Sequence, residues 1–261
     1  MKIIKQIPNL LTLCNLVCGV LGIIFALNTQ SLVADNNDNV MHLYPTESLA
    51  FSCIFIFIAA VFDFADGLAA RALKADSPMG VQLDSLADMV TFGVFPGIIY
   101  FKLLMLATVS SSDSLREPNV LRYVALLIPV AACWRLARFN NDEEQQKNFL
   151  GLPSPASGLF AACLPLIFHF NTLNIGSLIL NKWILLALII VFSYLMISKI
   201  TMFKLKLNGM KWKGNEILFS FLLVAVTLIV LFHFAGVAAS ILLYIILSSV
   251  LSLIEESKEI E

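Results

Sequence analysis

The chain has 261 residues, of which 59% are hydrophobic and 13% charged, and its formal net charge is −1. That balance excludes a soluble globular domain and describes a multi-spanning membrane protein with no room for a separate soluble unit. No nucleic-acid partner is expected, and the lipid bilayer is.

The five cysteines (Cys14, Cys18, Cys53, Cys133 and Cys163) all lie in apolar runs. They read as small core residues rather than disulfides or a zinc site. The apolar run 10–27 is long for a signal-peptide core and lacks a small-residue cleavage site, so it is expected to stay as a span. Before it, Lys2 and Lys5 suit a cytoplasmic surface.

The first predicted helix covers 8–27. Pro8 fits a helix start, and Asn9 and Thr12 are polar and one turn apart. Residues 29–47 form a polar loop without Lys or Arg. The second helix covers 48–73 and the third 78–107, joined by a short turn. A Ser-rich loop, 110–118, precedes a fourth helix, 119–138, which ends in the basic stretch R-L-A-R-F-N. After a hydrophilic loop, G-L-P-S-P-A-S-G (151–158) opens a fifth helix that runs to 170. The sixth covers 181–198, and the basic loop 199–213 after it suits anionic lipid. The seventh covers 216–234 and the eighth 237–254, with a break resting on H-F-A-G at 233–236. Each is near the roughly 20 residues that cross a bilayer. The expected fold is an all-α integral membrane bundle of about eight transmembrane helices. His42, His169 and His233 are given no chemistry.

Orientation follows from Lys and Arg placement. With the N-terminus inside, only Lys102, Arg116, Arg122 and Lys182 of the 17 basic residues fall on or near outer segments. Both termini are therefore expected on the cytoplasmic side.

The informative stretch is 63–88. Asp63 and Asp66 are three apart, Asp84 and Asp88 four apart, so each pair shares a helix face. Asp63 precedes Lys74 by about 16 Å of helix, and Asp88 follows Gly80 by about 12 Å. Antiparallel neighbours would bring all four acids to similar depth, a little inside the inner interface. A charge near the bilayer centre costs roughly 2.5–3.5 kcal/mol on insertion scales. Two carboxylates about 4 Å apart repel by about 4 kcal/mol at an effective dielectric near 20. Such a cluster stays ionised only around cations, and all-oxygen donors favour Mg²⁺, Mn²⁺ or Ca²⁺. Gly67 and Gly80 remove side chains beside the acids, and Arg71, one turn beyond Gly67, suits an anionic group. Together these residues suggest phosphoryl chemistry on a metal-bound diphosphate.

The pattern D-x-x-D-G-x-x-A-R-x8-G-x-x-x-D-x-x-x-D, with Asp63, Asp66, Gly67, Ala70, Arg71, Gly80, Asp84 and Asp88 at its fixed positions, resembles the signature of the CDP-alcohol phosphotransferases. The resemblance implies a six-helix core within 1–200, with 201–261 adding the basic loop and two further helices. It implies displacement of CMP from a CDP-linked donor by an alcohol, and a homodimer. By the same resemblance Asp63, Asp66 and Asp84 hold two divalent cations, and Asp88 completes the metal site and is the general base. Gly67, Ala70 and Gly80 leave space for the cytidine part, and Arg71 and Ser77 meet the donor's phosphates. Asn9 and Thr12 are further donor contacts.

Three stretches beyond the signature resemble the phosphatidylserine synthase branch: 7–19, W-R-L-A-R-F-N (134–140) with G-L-P-S-P-A-S-G, and 193–200. This implies CDP-diacylglycerol as donor and L-serine as acceptor, at the cytoplasmic face of the inner cell membrane. Serine carries a carboxylate to a site rich in negative charge, so it needs a cation; Arg135 and Arg138 can supply one. A second reading keeps the family but takes glycerol 3-phosphate or inositol phosphate as acceptor. Arg71, Arg135 and Arg138 are few for a phosphorylated acceptor. A third, a divalent-cation channel or transporter, leaves Gly67, Ala70, Arg71 and Gly80 unexplained. Direct attack and a covalent intermediate both remain open.

Overall fold

A computed structural model describes residues 4–28, 32–36, 40–44, 47–75, 77–108, 119–141, 150–202 and 215–260, with side chains for all but 32–36, 40–44 and 255–260. The predicted loop at 110–118, residues 142–149 of the loop predicted at 140–149, and Lys204, Lys206, Lys211 and Lys213 of the basic loop lie outside the described residues; Asn140 and Asn141 extend the preceding helix.

The membrane-crossing part is helical throughout. Among the described residues, five helices are long and apolar enough to cross a bilayer: the span containing α1 (Ile7–Leu27), α2 (Glu47–Leu73), α3 (Pro78–Thr108), α4 (Val120–Asn141) and a last stretch within Glu216–Ile260. Two shorter apolar helices, α5 (Ser154–His169) and α6 (Lys182–Ile197), have 16 residues each. The last stretch is broken at His233 (φ 52°), into α7 (216–232) and α8 (234–260). The break falls inside the predicted H-F-A-G. A Cβ on Gly236 would run into the Leu228 carbonyl, so glycine is what lets α8 fold back beside α7. Surfaces facing outward are apolar, with Val230 70% and Phe64 66% exposed, as a lipid-bathed bundle requires.

Two details differ from the sequence expectation. Within the predicted polar loop 29–47, Leu32–Asn36 (β1) pairs antiparallel with Val40–Tyr44 (β2). The cause is legible in the sequence: β-favouring residues flank N-N-D-N, residue types that favour chain reversal. The second lies in α3, which is not a uniform α-helix. A π-helical turn, Met89–Val94, begins directly after Asp88 and shifts the phase of everything beyond it.

α3 is the centre of the bundle. Phe92, Phe95, Ile99, Tyr100 and Leu103 on it are fully buried. α1 reaches it through glycines: a Cβ on Gly19 would strike the Thr91 side chain, and one on Gly22 would strike the Phe95 ring. Gly97 admits Pro129 of α4, whose Cδ lies 2.9 Å from the Cβ position. Small residues at such crossings let backbones approach within van der Waals contact, the main source of helix association in lipid. Gly22→Val is expected to force α1 away from α3 and destabilise the protein by about 1–3 kcal/mol. Thermal unfolding in detergent checks this; an unchanged midpoint would contradict the packing.

The five cysteines are separate thiols. His169 packs tilted against Phe51 (6.0 Å) and edge-on to Phe170 (4.9 Å) at the far end of α5.

Candidate active site

Local sequence dictates how the acids meet. Lys74 (φ 47°) ends α2 in a left-handed residue, and Ala75 N–H donates back to the Ala70 carbonyl at 3.0 Å. Ser77 then caps α3, its Oγ accepting from Gly80 N–H at 3.0 Å, with Pro78 in the first turn. This short connection sends α3 back along α2 and sets the two acidic faces against each other.

Asp63, Asp66 and Asp84 each bring one carboxylate oxygen to a common point, all within 4.8 Å of one another. Asp88 lies outside that trio. It is 8% exposed, its carboxyl adjoins that of Asp63, and Asn15 Nδ2 donates to its Oδ1 at 3.1 Å. Thr12 Oγ1 donates to Asp66 Oδ2 at 2.6 Å. α1 therefore supplies one donor to each half of the cluster.

Two neutral donors do not balance this charge. Ionised carboxylates at this spacing repel by about 3–4 kcal/mol per pair at an effective dielectric near 20. The donor set suits a hard divalent cation: all oxygen, with a spread matching metal–oxygen distances of about 2.1–2.6 Å on opposite sides of one ion. The trio therefore fits a divalent metal, and Asp88 stands beside it rather than within it.

The two glycines of the motif differ in surroundings. A Cβ on Gly67 would meet nothing nearer than Arg71 Nη2 at 4.0 Å, so space opens there. The space beside Gly80 holds Asn9 Oδ1 and Ser77 Oγ, both 3.1 Å from the Cβ position. Asn9, Ser77 and Gly80 thus form one group at the start of α3, while Gly67, Ala70 and the exposed Arg71 line the last turns of α2.

The arginines of α4 part company. Arg138 Nη1 donates to the Ile197 carbonyl at the end of α6, at 3.4 Å. Arg135 is 8% exposed, and its Nε has no hydrogen-bond partner. Asp88 is the carboxylate that acts on it electrostatically. Asn140 Nδ2 donates to Ser85 Oγ at 2.8 Å and ties the same end of α4 to α3 beside Asp84.

Among the described residues, the other buried polar atoms without partners are Asn15 Oδ1 and the hydroxyls of Tyr100, Ser154, Ser157 and Ser193. The turn before Ser154 is fixed to α6, since Gly151 N–H donates to the Ile200 carbonyl and Leu152 N–H to the Leu195 carbonyl, both at 2.9 Å. Gly151 (φ 73°) takes a conformation that suits glycine, and its Cβ position is 2.7 Å from the Met196 carbonyl.

Sequence reasoning did not single out Asn15, although a signal was there. Asn9, Thr12 and Asn15 recur every third residue in an otherwise apolar helix.

The sequence pattern of the CDP-alcohol phosphatidyltransferase family matches residues 5–195. A CDP-diacylglycerol–serine O-phosphatidyltransferase of Bacillus subtilis is 31% identical over 196 residues, covering 75% of this chain and 89% of the relative. One of the same name from Mycobacterium leprae is 31% identical over 77% of this chain, which spans 59% of that longer protein. An archaetidylserine synthase of Methanothermobacter thermautotrophicus is 28% identical, over 69% of this chain and 66% of the relative.

Proposed function

The chain belongs to the CDP-alcohol phosphatidyltransferase family, and we propose that it transfers the phosphatidyl group of CDP-diacylglycerol to the hydroxyl of L-serine, giving phosphatidylserine and CMP. The observation that carries the acceptor assignment is Arg135. An almost fully buried guanidinium with an unpartnered Nε is costly, because buried polar groups left unsatisfied lose about 1–3 kcal/mol and charged ones more. A ligand carboxylate arriving there satisfies it, and serine brings one.

Asp88 is the general base. Asn15 fixes one carboxyl oxygen, leaving the other for the proton of the attacking hydroxyl. Asp63, Asp66 and Asp84 would hold divalent metal, taken as a pair of Mg²⁺ or Mn²⁺ ions, which when bound would supply charge neutralisation for the phosphoryl oxygens and the CMP leaving group. Thr12 keeps the Asp66 carboxylate turned toward its partners. Gly67 leaves room for the donor, Arg71 reaches its phosphates, and the Ser77–Asn9 pair borders the same entrance. The buried hydroxyls of Ser154, Ser157 and Ser193 are hydrogen-bonding groups for the small polar acceptor.

The excess of Lys and Arg on one side supports cytoplasmic termini and a site near the inner leaflet of the inner membrane. There the acyl chains stay in lipid while the nucleotide meets water. Residues 1–200 form the catalytic core, 201–261 complete the bundle, and the assembly is a homodimer.

Purified protein with CDP-diacylglycerol and Mg²⁺ or Mn²⁺ is expected to release CMP only when serine is added. Release driven instead by glycerol 3-phosphate or inositol phosphate would transfer the site to a phosphorylated acceptor. Arg135→Gln is expected to raise the KM for serine roughly 10²-fold, as loss of a buried charge pair does. An unchanged serine KM would remove Arg135 from the acceptor site.

A further inference from the structure

The end of α6 and the residues just after it gather bonds from three directions. Leu150 forms an antiparallel bridge with Thr201, Gly151 N–H donates to the Ile200 carbonyl, and Leu152 N–H donates to the Leu195 carbonyl. Arg138 reaches the Ile197 carbonyl from α4. From α8, Ser252 Oγ accepts from Thr201 Oγ1 at 2.9 Å. Ser252 is 7% exposed, so the bond lies where the local dielectric is low and a hydrogen bond is stronger than in water.

The family match stops at residue 195, and α8 begins well beyond it, yet this helix runs the length of the bundle. At the far end the Phe234 ring stacks on Phe170, just past α5, at 5.7 Å, and meets Phe57 of α2 edge-on at 5.7 Å. From Phe234 to Ser252 the helix rises about 27 Å, against about 24 Å for the 16 residues of α5. It is therefore fastened at both ends of α5, and the second fastening is the Thr201–Ser252 bond.

The turn at 150–153 leads directly into Ser154 and Ser157, in the first turns of α5. Both are fully buried, and among the described residues neither hydroxyl has a hydrogen-bond partner. Their depth follows from the packing. Asn140 joins the end of α4 to Ser85 near the start of α3, and Arg138 joins that same end to the end of α6, where α5 begins. So α3 and α5 start at one end of the bundle and run the same way. Gly158 lies against α3, its Cβ position 3.3 Å from Phe92 Cα. About one turn back along each helix stand Ser154 and Asp88. The unpartnered hydroxyls thus open at about the level of the base. The turn sets where they stand, and the end of α6 sets the turn.

We infer that α8 braces the acceptor subsite: the Thr201–Ser252 bond locks the chain after α6, and through Gly151 and Leu152 fixes the turn that presents Ser154 and Ser157 to the acceptor. Thr201 and Ser252 are positioning residues, and neither meets substrate. This rests on the reading above that those hydroxyls receive the acceptor. It gives a helix outside the family pattern a share in acceptor recognition.

The test uses the full-length enzyme and two readouts. One is hydrogen exchange at the Gly151 and Leu152 amides; the other is kinetics with serine varied at saturating CDP-diacylglycerol, and the reverse. Ser252→Ala is expected to speed that exchange and raise the serine KM, each about fivefold, within the range that a hydrogen bond between membrane helices is worth. The kcat and the donor KM should stay within about twofold, the pattern of lost uniform binding. Thr201→Val should do the same and add nothing to Ser252→Ala, because the two act through one bond. Ser252→Thr, which keeps the hydroxyl, should restore both readouts. Unchanged exchange or an unchanged serine KM in both variants would overturn the inference. So would kcat and both KM values changing together with a lowered melting midpoint. Should Ser252→Ala yield no folded protein, Thr201→Val decides by the same criteria. If wild type uses another alcohol, the serine assignment fails by itself, and the exchange together with the KM for that alcohol decides the role of α8.

Discussion

Asp88→Asn is expected to lower kcat by at least about 10³-fold while leaving CDP-diacylglycerol and metal binding within a few-fold of wild type. A positioned base contributes about 10²–10⁴ to such a step, and a serine hydroxyl is a poor nucleophile without one. The substitution is nearly isosteric. Its amide oxygen can still accept from Asn15 Nδ2, so the contact between α1 and α3 that now measures 3.1 Å survives. Asp88 also stands outside the three-oxygen cluster, which is why donor and metal binding should persist. CMP release and donor titration on the same preparation separate the two effects. Wild-type turnover in the variant would remove the assignment of Asp88 as base, and loss of donor binding would move Asp88 into the metal set.

Asp66→Asn should behave in the opposite way. It removes one of the three clustered carboxylates while keeping a group that can accept from Thr12, now 2.6 Å from Asp66 Oδ2. Metal affinity should fall by at least about 10²-fold and turnover with it, since the oxygen lost is a direct ligand rather than an outer-shell partner, whose loss already costs about 10–100-fold. Thermal unfolding with and without Mn²⁺ is the informative measurement. Wild type should gain stability with metal by mass action, about 2.7 kcal/mol at a hundredfold excess over Kd, and the variant should lose that gain. Without metal the sign reverses. The variant relieves like-charge repulsion of about 3–4 kcal/mol per pair at a dielectric near 20, so its melting midpoint should equal or exceed that of metal-free wild type. A variant less stable than wild type in chelator would mean that the trio is held together by something other than cations.

Much of this was legible because the bilayer restricts the choices. A chain that must satisfy its own backbone in lipid folds as helices. Apolar run lengths therefore marked the spans, and even the break at His233, where no proline stands, was signalled by H-F-A-G. Acids spaced three and four apart on two successive spans had to share faces, so the trio around Asp63 followed from spacing once the connection between the spans was seen to be short. The hairpin at 32–44 was missed because a polar loop and a short β-ribbon differ only in weak alternation around Asn and Asp.

What sequence alone determined is the class of protein, the spans, and a carboxylate motif fit for cations and a diphosphate, because these depend on local spacing and on the cost of charge in lipid. Only the tertiary structure decided that Asp88 stands apart on Asn15 and that Arg135 is buried while Arg138 caps α6. The two hydrogen bonds among these join residues 73 and 59 positions apart. They depend on the angle at which packed helices cross and on the phase shift of the π turn after Asp88, neither of which leaves a periodic trace in the chain.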